Sequence, residues 1–272
     1  MEFACHTWAF HDQSLTEALG NIARMGFRYV DIVGGPHLDV TRAAQYPQEM
    51  AAEIRAQLAT FNLQLSDVGL MLLRISLADA EKRRTHITLF KALLPFLLAL
   101  EVPGLTLSPG LVQPGDETAF DRAADALAEM VAAAQTATPH LRVSFEPHLD
   151  SVAQSPAAAR QLLNRIDGLS LTLDWAQMVC QNVPHREIVG LIPHARHIQI
   201  RQAARNQLQT PFDRGRIDVA RVIRALKDAQ YTGVVSVEYL QIKNWHGVVA
   251  VNSLVECARM RDALRDARDA GN

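Results

Sequence analysis

The sequence predicts a (β/α)8 barrel. Short apolar runs alternate with longer helical patterns about eight times from end to end, which is the signature of βα units rather than of a sandwich or a bundle. Four polar residues of chemical interest each stand at the tip of a predicted strand, where barrels of this kind gather their ligands. An open doubly wound sheet is the alternative, but no GxGxxG follows the first strand and no P-loop occurs.

The strands are expected at 3–8, 28–33, 63–70, 104–108, 141–146, 169–174, 195–201 and 233–238. Helical patterns lie between them at 14–26, 47–61, 80–102, 117–135, 156–166, 185–192, 218–229 and 251–268. Several ends are marked by their residues. Ser155 caps a helix whose first turn holds Pro156, Gly26 follows a helix end, and Asp218 opens another helix. The greasiest stretch, 87–102, is broken by Lys91 and Pro95 and falls short of the roughly 20 apolar residues that span a bilayer, so it reads as a buried helix kinked at the proline. With no linker or low-complexity tract, residues 1–272 are expected to form a single domain.

At 272 residues and 49% hydrophobic content, the chain can bury a large core. A net charge of -2 provides no basic field for nucleic acid, so a small-molecule partner is the better expectation. Cys5, Cys180 and Cys257 are far apart and form no CxxC pair, and the residues after Met1 show neither a basic n-region nor a long apolar one. Reduced thiols and a cytoplasmic location with no membrane span follow as expectations. The sequence leaves a homo-oligomer open.

Glu146 ends LRVSFE, Asp174 ends LSLTLD, Gln199 lies in ARHIQIR and Glu238 ends GVVSVE. Residues two apart share a strand face, so Ser144 lies with Glu146, Thr172 with Asp174, His197 and Arg201 with Gln199, and Ser236 with Glu238. The opposite faces are apolar and call for a helix layer. The polar faces then point into a common interior, where unpartnered carboxylates would be costly. A solvated strand end explains any one such residue, but four in succession point to a site. Hard oxygen donors of this type suit one Mg2+ or Mn2+.

The stretches SFEPH (144–148), LTLDWAQ (171–177), RHIQIRQ (196–202) and DRGRIDVARVIRALKDAQYTGVVSVEYL (213–240) resemble, in order and at barrel spacing, the xylose isomerase-like TIM barrel superfamily. That superfamily includes sugar isomerases and epimerases, inosose and dehydroshikimate dehydratases, and endonuclease IV. The resemblance implies that Glu146, Asp174, Gln199 and Glu238 bind one divalent ion, Mn2+ or Mg2+, and that Glu146 and Glu238 also exchange protons with a sugar. Two departures stand out: Gln199 and Gln177 each replace a histidine of the epimerase pattern. The histidines of a multinuclear zinc site are missing at matching positions, which disfavours endonuclease chemistry.

His6, Trp8, His148, Gln177 and Arg201 are the candidate substrate contacts. Three have a structural alternative: a locally hydrogen-bonded histidine at 148, an indole packed under a loop at 8, a salt-bridged loop arginine at 201. Asp67 is open in the same way. His197 lies one inward step below Gln199 and reads as a buried, hydrogen-bonded histidine. The loop 241–249, with Lys243, Trp245 and His246, is a candidate cover for the site. The leading expectation is a metal-dependent isomerase or epimerase of a small sugar or polyol-derived keto compound. The alternatives are a lyase or dehydratase acting on a keto-cyclitol or dehydroshikimate-like substrate, and a barrel that binds a sugar without turning it over.

Overall fold

In the computed structural model, which describes residues 1–138, 140–242 and 244–270, eight parallel strands close into a barrel in chain order. They are β1 Glu2–His6, β2 Tyr29–Val33, β3 Gln64–Leu70, β4 Gly104–Leu107, β5 Arg142–Phe145, β6 Ser170–Asp174, β7 Ala195–Ile200 and β8 Val234–Val237. Every expected strand is present. β1 stops two residues sooner than expected and four others stop one sooner, leaving Ser108, Glu146, Arg201 and Glu238 just past the ends of β4, β5, β7 and β8. The backbone is still anchored there: the Glu146 N–H donates to Leu107 O at 2.9 Å and the Glu238 N–H to Ile200 O at 3.0 Å. These side chains therefore start from fixed positions on the rim.

The helices are α1 Leu15–Arg24, α2 Val40–Gln45, α3 Pro47–Thr60, α4 Ala80–Ala99, α5 Ala119–Ala137, α6 Pro156–Arg165, α7 Trp175–Cys180, α8 His185–Val189, α9 Val219–Asp228 and α10 Ser253–Asp269. They cover the outward faces of the strands, where Val143, Phe145, Leu171, Leu173, Ile198, Ile200, Val235 and Val237 are buried as the alternation requires. α9 shows the packing logic. Val219, Val222, Ile223 and Leu226 recur at helical spacing and are buried, while Asp218 accepts from the Arg221 N–H at 2.9 Å to close the first turn. Pro95 lies inside α4, which continues to Ala99. The short helices α2 and α7 were not expected, because six residues are too few to show a period; each is opened by an aspartate cap, Asp39 and Asp174.

At α1 the Ser14 hydroxyl takes the Glu17 N–H and the Glu17 carboxylate takes the Ser14 N–H, a reciprocal capping box. Ser14→Ala is expected to lower unfolding free energy by about 1 kcal/mol, read by urea denaturation.

The interior is more polar than alternation alone predicts. Register shifts between Val30 and Asp31 and between Leu171 and Thr172 leave Ser66 and Arg196 as extra residues in β3 and β7. The second shift turns Arg196 inward. Its guanidinium lies 2.6 Å from Asp67 Oδ1 and 2.8 Å from Ser144 Oγ, and a Cβ at Gly104 would collide with it and displace it from these partners. Beside this pair, His197 Nε2 is 2.8 Å from Asp31 Oδ2, and Ser144, Thr172 and Thr106 hydroxyls are linked at 2.7 Å. Burial pushes the Asp31 carboxyl up, but the facing His197 pulls harder and leaves it at about 2.

Cys5, Cys180 and Cys257 are free and buried. Among the described residues, no helix is long and apolar enough to cross a membrane.

Candidate active site

A cavity of about 290 Å³ opens at the C-terminal end of the barrel. Glu146, Glu238, Gln177 and Arg201 form its polar floor, and Trp8, Met71, Leu73, Leu111, Leu149, Leu240, Ile242 and Trp245 form a largely apolar upper wall. Such a volume is at the small end of ligand pockets and holds one small molecule. Trp8 and Trp245 of this wall were candidates from the sequence, but its leucines, Met71 and Ile242 had no signal there, since isolated aliphatic residues in loops are ordinary.

Arg201 organises the floor. Its side chain is fully buried, with Nη1 donating to Glu238 Oε2 at 2.8 Å and to Glu238 O at 3.2 Å, and Nε donating to Leu208 O at 3.2 Å. Nη2 lies 2.9 Å from Asp174 Oδ2. That contact is an ion pair whose angle is poor for a hydrogen bond, and neither atom has a hydrogen-bonding partner among the described residues. Asp174 Oδ1 is used separately, accepting the Ala176 N–H at 2.8 Å as the cap of α7. Arg201 is thus the salt-bridged arginine of its two readings, folded back onto two site carboxylates while also lining the cavity.

Glu146 has no comparable cation. Gln177 Nε2 donates to its Oε1 at 3.1 Å, while Gln177 Oε1 takes the Leu149 N–H at 3.0 Å, which fixes the amide's orientation. Burial, reinforced by the nearby Asp174 charge, pushes the Glu146 carboxyl up to about 8 against the pull of Arg201 and Gln177. Burial also raises Glu238, with Arg201 pulling the other way, and raises Asp174, which Arg201 and backbone N–H groups oppose. Around one guanidinium, three buried carboxyls cannot all be ionised cheaply.

The other candidates divide. His148 lines the cavity, but its Nδ1 donates to Leu149 O at 2.7 Å and its Nε2 meets Ser108 Oγ at 2.8 Å, so it is the locally bonded histidine of the two readings. Trp8 lines the cavity, with its ring edge-on to His6. His6 lies deeper: its Nδ1 accepts from the Trp8 N–H at 3.2 Å, its Nε2 is 3.7 Å from Glu238 Oε1, and burial pushes it down to about 4, neutral at pH 7. Asp67 pairs with Arg196 below the cavity. In the loop after β8, Trp245 borders the cavity, and both Trp245 Nε1 (3.4 Å) and His246 Nε2 (2.7 Å) reach Asp150 Oδ2. Lys243 lies outside the described residues.

The expected Mn2+ or Mg2+ fits the donor types here, since Glu146, Asp174, Glu238 and the Gln199 amide are all oxygen ligands and Gln199 Oε1 is buried without a partner. It does not fit their arrangement. Arg201 already contacts two of the four groups, and a dication some 4 Å from it would be opposed by about 8 kcal/mol at an effective dielectric near 20. Among the described residues, no cluster of three or more histidines, cysteines, aspartates or glutamates is poised to hold an ion.

A family model described as xylose isomerase-like TIM barrel matches residues 19–254. The chain belongs to that family. A search of curated proteins found no match. Among solved structures of the same fold, D-psicose 3-epimerase from Clostridium cellulolyticum H10, determined with D-tagatose, superposes with a TM-score of 0.76 at 17% identity, covering 98% of this chain and 99% of that one. The probable 3-DHS dehydratase of Bacillus anthracis, involved in petrobactin synthesis, gives 0.75 at 15% identity over 97% and 99%. A xylose isomerase-like TIM barrel protein from Mycobacterium smegmatis in complex with magnesium gives 0.73 at 17% identity over 98% and 97%. At these identities the likeness is one of fold, and the chemistry must be argued from this family member's own site.

That site makes a prediction about stability. The folded Glu146 carboxyl keeps its proton to about pH 8, whereas the ordinary value is 4.5, so between these limits the folded state holds the extra proton and stability falls as pH rises. Glu146→Gln, which cannot ionise, is expected to match wild type near pH 4.5 and to exceed it by a few kcal/mol at pH 8.5. Thermal unfolding across that range checks it.

Proposed function

We propose that the chain is an isomerase or epimerase that moves a proton at a carbon next to the carbonyl of a small polyhydroxylated keto compound. The observation that carries this reading is that two glutamates from strands three apart in the ring, Glu146 and Glu238, face one small cavity in different electrostatic settings. Glu238 touches a guanidinium and serves as the base. Glu146 touches only an amide and holds a proton it can deliver.

A substrate seated between them loses a proton to Glu238 and becomes an enediol or enediolate. Return of a proton from Glu146 on the other side inverts the carbon or moves the carbonyl. Gln177 keeps the Glu146 carboxyl aimed into the cavity, the apolar wall excludes water from the carbanion-like intermediate, and Trp8 and Trp245 offer aromatic faces to the ring or chain of the substrate. No step uses the Mn2+ or Mg2+ implied by the sequence resemblance, because Arg201 engages two of its ligands.

The test is product analysis by NMR on a panel of ketoses, keto-polyols and keto-cyclitols. An interconverted stereoisomer or aldose–ketose pair is the expected result. An unsaturated product would move the assignment to a lyase, and a ligand bound but unchanged would make the chain a binding protein.

A further inference from the structure

We propose that the Arg201 guanidinium is the resident cation of this site, taking the place in which the surrounding oxygen ligands would otherwise hold a divalent ion. Four observations converge on it. First, Arg201 is fully buried and its position is fixed twice over by backbone, through Leu208 O and Glu238 O, so it is not a surface side chain that has drifted inward. Second, its two terminal nitrogens face the carboxylates of Glu238 and Asp174, which come from different strands, so one group bridges the ligand set as an ion would. Third, the remaining members are arranged as if no ion called on them: Glu146 is taken up by Gln177, and Gln199 Oε1 is buried and unpartnered. Fourth, the side chains that replace the histidines of the epimerase pattern, Gln177 and Gln199, are neutral, so they add no further positive charge beside the guanidinium.

A guanidinium and a divalent ion do different work. The arginine neutralises one unit of charge, cannot be exchanged or chelated away, and presents directed N–H groups rather than an open coordination shell. Its Nη2 is buried and meets Asp174 as an ion pair without a well-aligned hydrogen bond, so the guanidinium holds that carboxylate by charge. The chain then works without added metal and tolerates chelators. This inference stands apart from the proton-transfer reading, since it concerns which cation holds the carboxylates together and is tested by metal binding alone.

The experiment is a Mn2+ titration followed by electron paramagnetic resonance of the free ion, with thermal unfolding in Mn2+ and in EDTA, on the full chain. Wild type is expected to take up no stoichiometric Mn2+ and to unfold at the same temperature in both. Arg201→Ala frees Asp174 and Glu238 to act beside the unpartnered Gln199 and is expected to bind one Mn2+ per chain at least roughly tenfold more tightly than wild type, with a rise in melting temperature that EDTA reverses. Arg201→Lys, which keeps a cation, is expected to behave as wild type. If Arg201→Ala does not fold without metal, its recovery on refolding in Mn2+ supports the proposal, and failure to recover counts against it. One tightly bound Mn2+ in wild type, or an Arg201→Ala variant that folds and binds no better than wild type, overturns it.

Discussion

Glu146→Gln and Glu238→Gln are each expected to lower turnover by about two orders of magnitude or more, the range for loss of a general acid or base. Each substitution keeps side-chain volume and removes one proton-carrying carboxyl. The two variants should differ in stability. Glu146→Gln keeps the Gln177 contact and is expected to be more stable than wild type at alkaline pH. Glu238→Gln takes a charge partner from a buried guanidinium and is expected to be less stable. Loss of activity together with gain of stability in one protein is hard to produce by misfolding, so the pair separates a chemical role from a structural one. Steady-state assays on a verified substrate, with melting temperatures at pH 5 and 8.5, give the comparison. Near-wild-type turnover in both variants would remove the glutamates from the mechanism.

The second large effect lies below the cavity. Asp67→Asn leaves the buried Arg196 guanidinium with an amide oxygen and hydroxyls but no counter-charge, and breaking a buried pair in this way costs about 3–5 kcal/mol. In a chain of this size, that is a fall in melting temperature of roughly 6–10 °C. Replacing both partners with apolar residues, Asp67→Leu with Arg196→Met, should recover most of the loss, because the expense of an ion pair in a dry interior disappears with the pair itself. A double-mutant cycle in urea measures the coupling directly. Equal losses in the single and double variants would show that the pair is solvated and contributes little.

The barrel was legible because its signals repeat. Apolar faces such as Val143/Phe145 and Ile198/Ile200 alternate with polar ones, and the helical patterns between them carry caps at Ser155 and Asp218, so each unit supports the next. The rim position of Glu146, Asp174, Gln199 and Glu238 followed from the same alternation. What the sequence did not show is how those residues are partnered. Arg201 was placed on the correct face, but alternation says nothing of whether a long side chain extends outward or folds back, and that choice decides between an ion and a guanidinium at the site. Arg196 was hidden for a different reason: a one-residue bulge reverses the facing of a side chain, and bulges have no sequence mark here. The short helix α7, capped by Asp174, also escaped notice, although it sets one oxygen of that carboxylate aside from the site.

The central claim, that Glu146 and Glu238 carry a proton between solvent and a carbon next to a carbonyl, is tested most directly by deuterium uptake. Wild type incubated in heavy water with keto sugars and keto-cyclitols should place deuterium on the carbon beside the carbonyl of its substrate, as read by NMR, and both glutamine variants should slow that exchange by about two orders of magnitude or more. Turnover of a panel member with no deuterium uptake, or unchanged uptake in both variants, would contradict it.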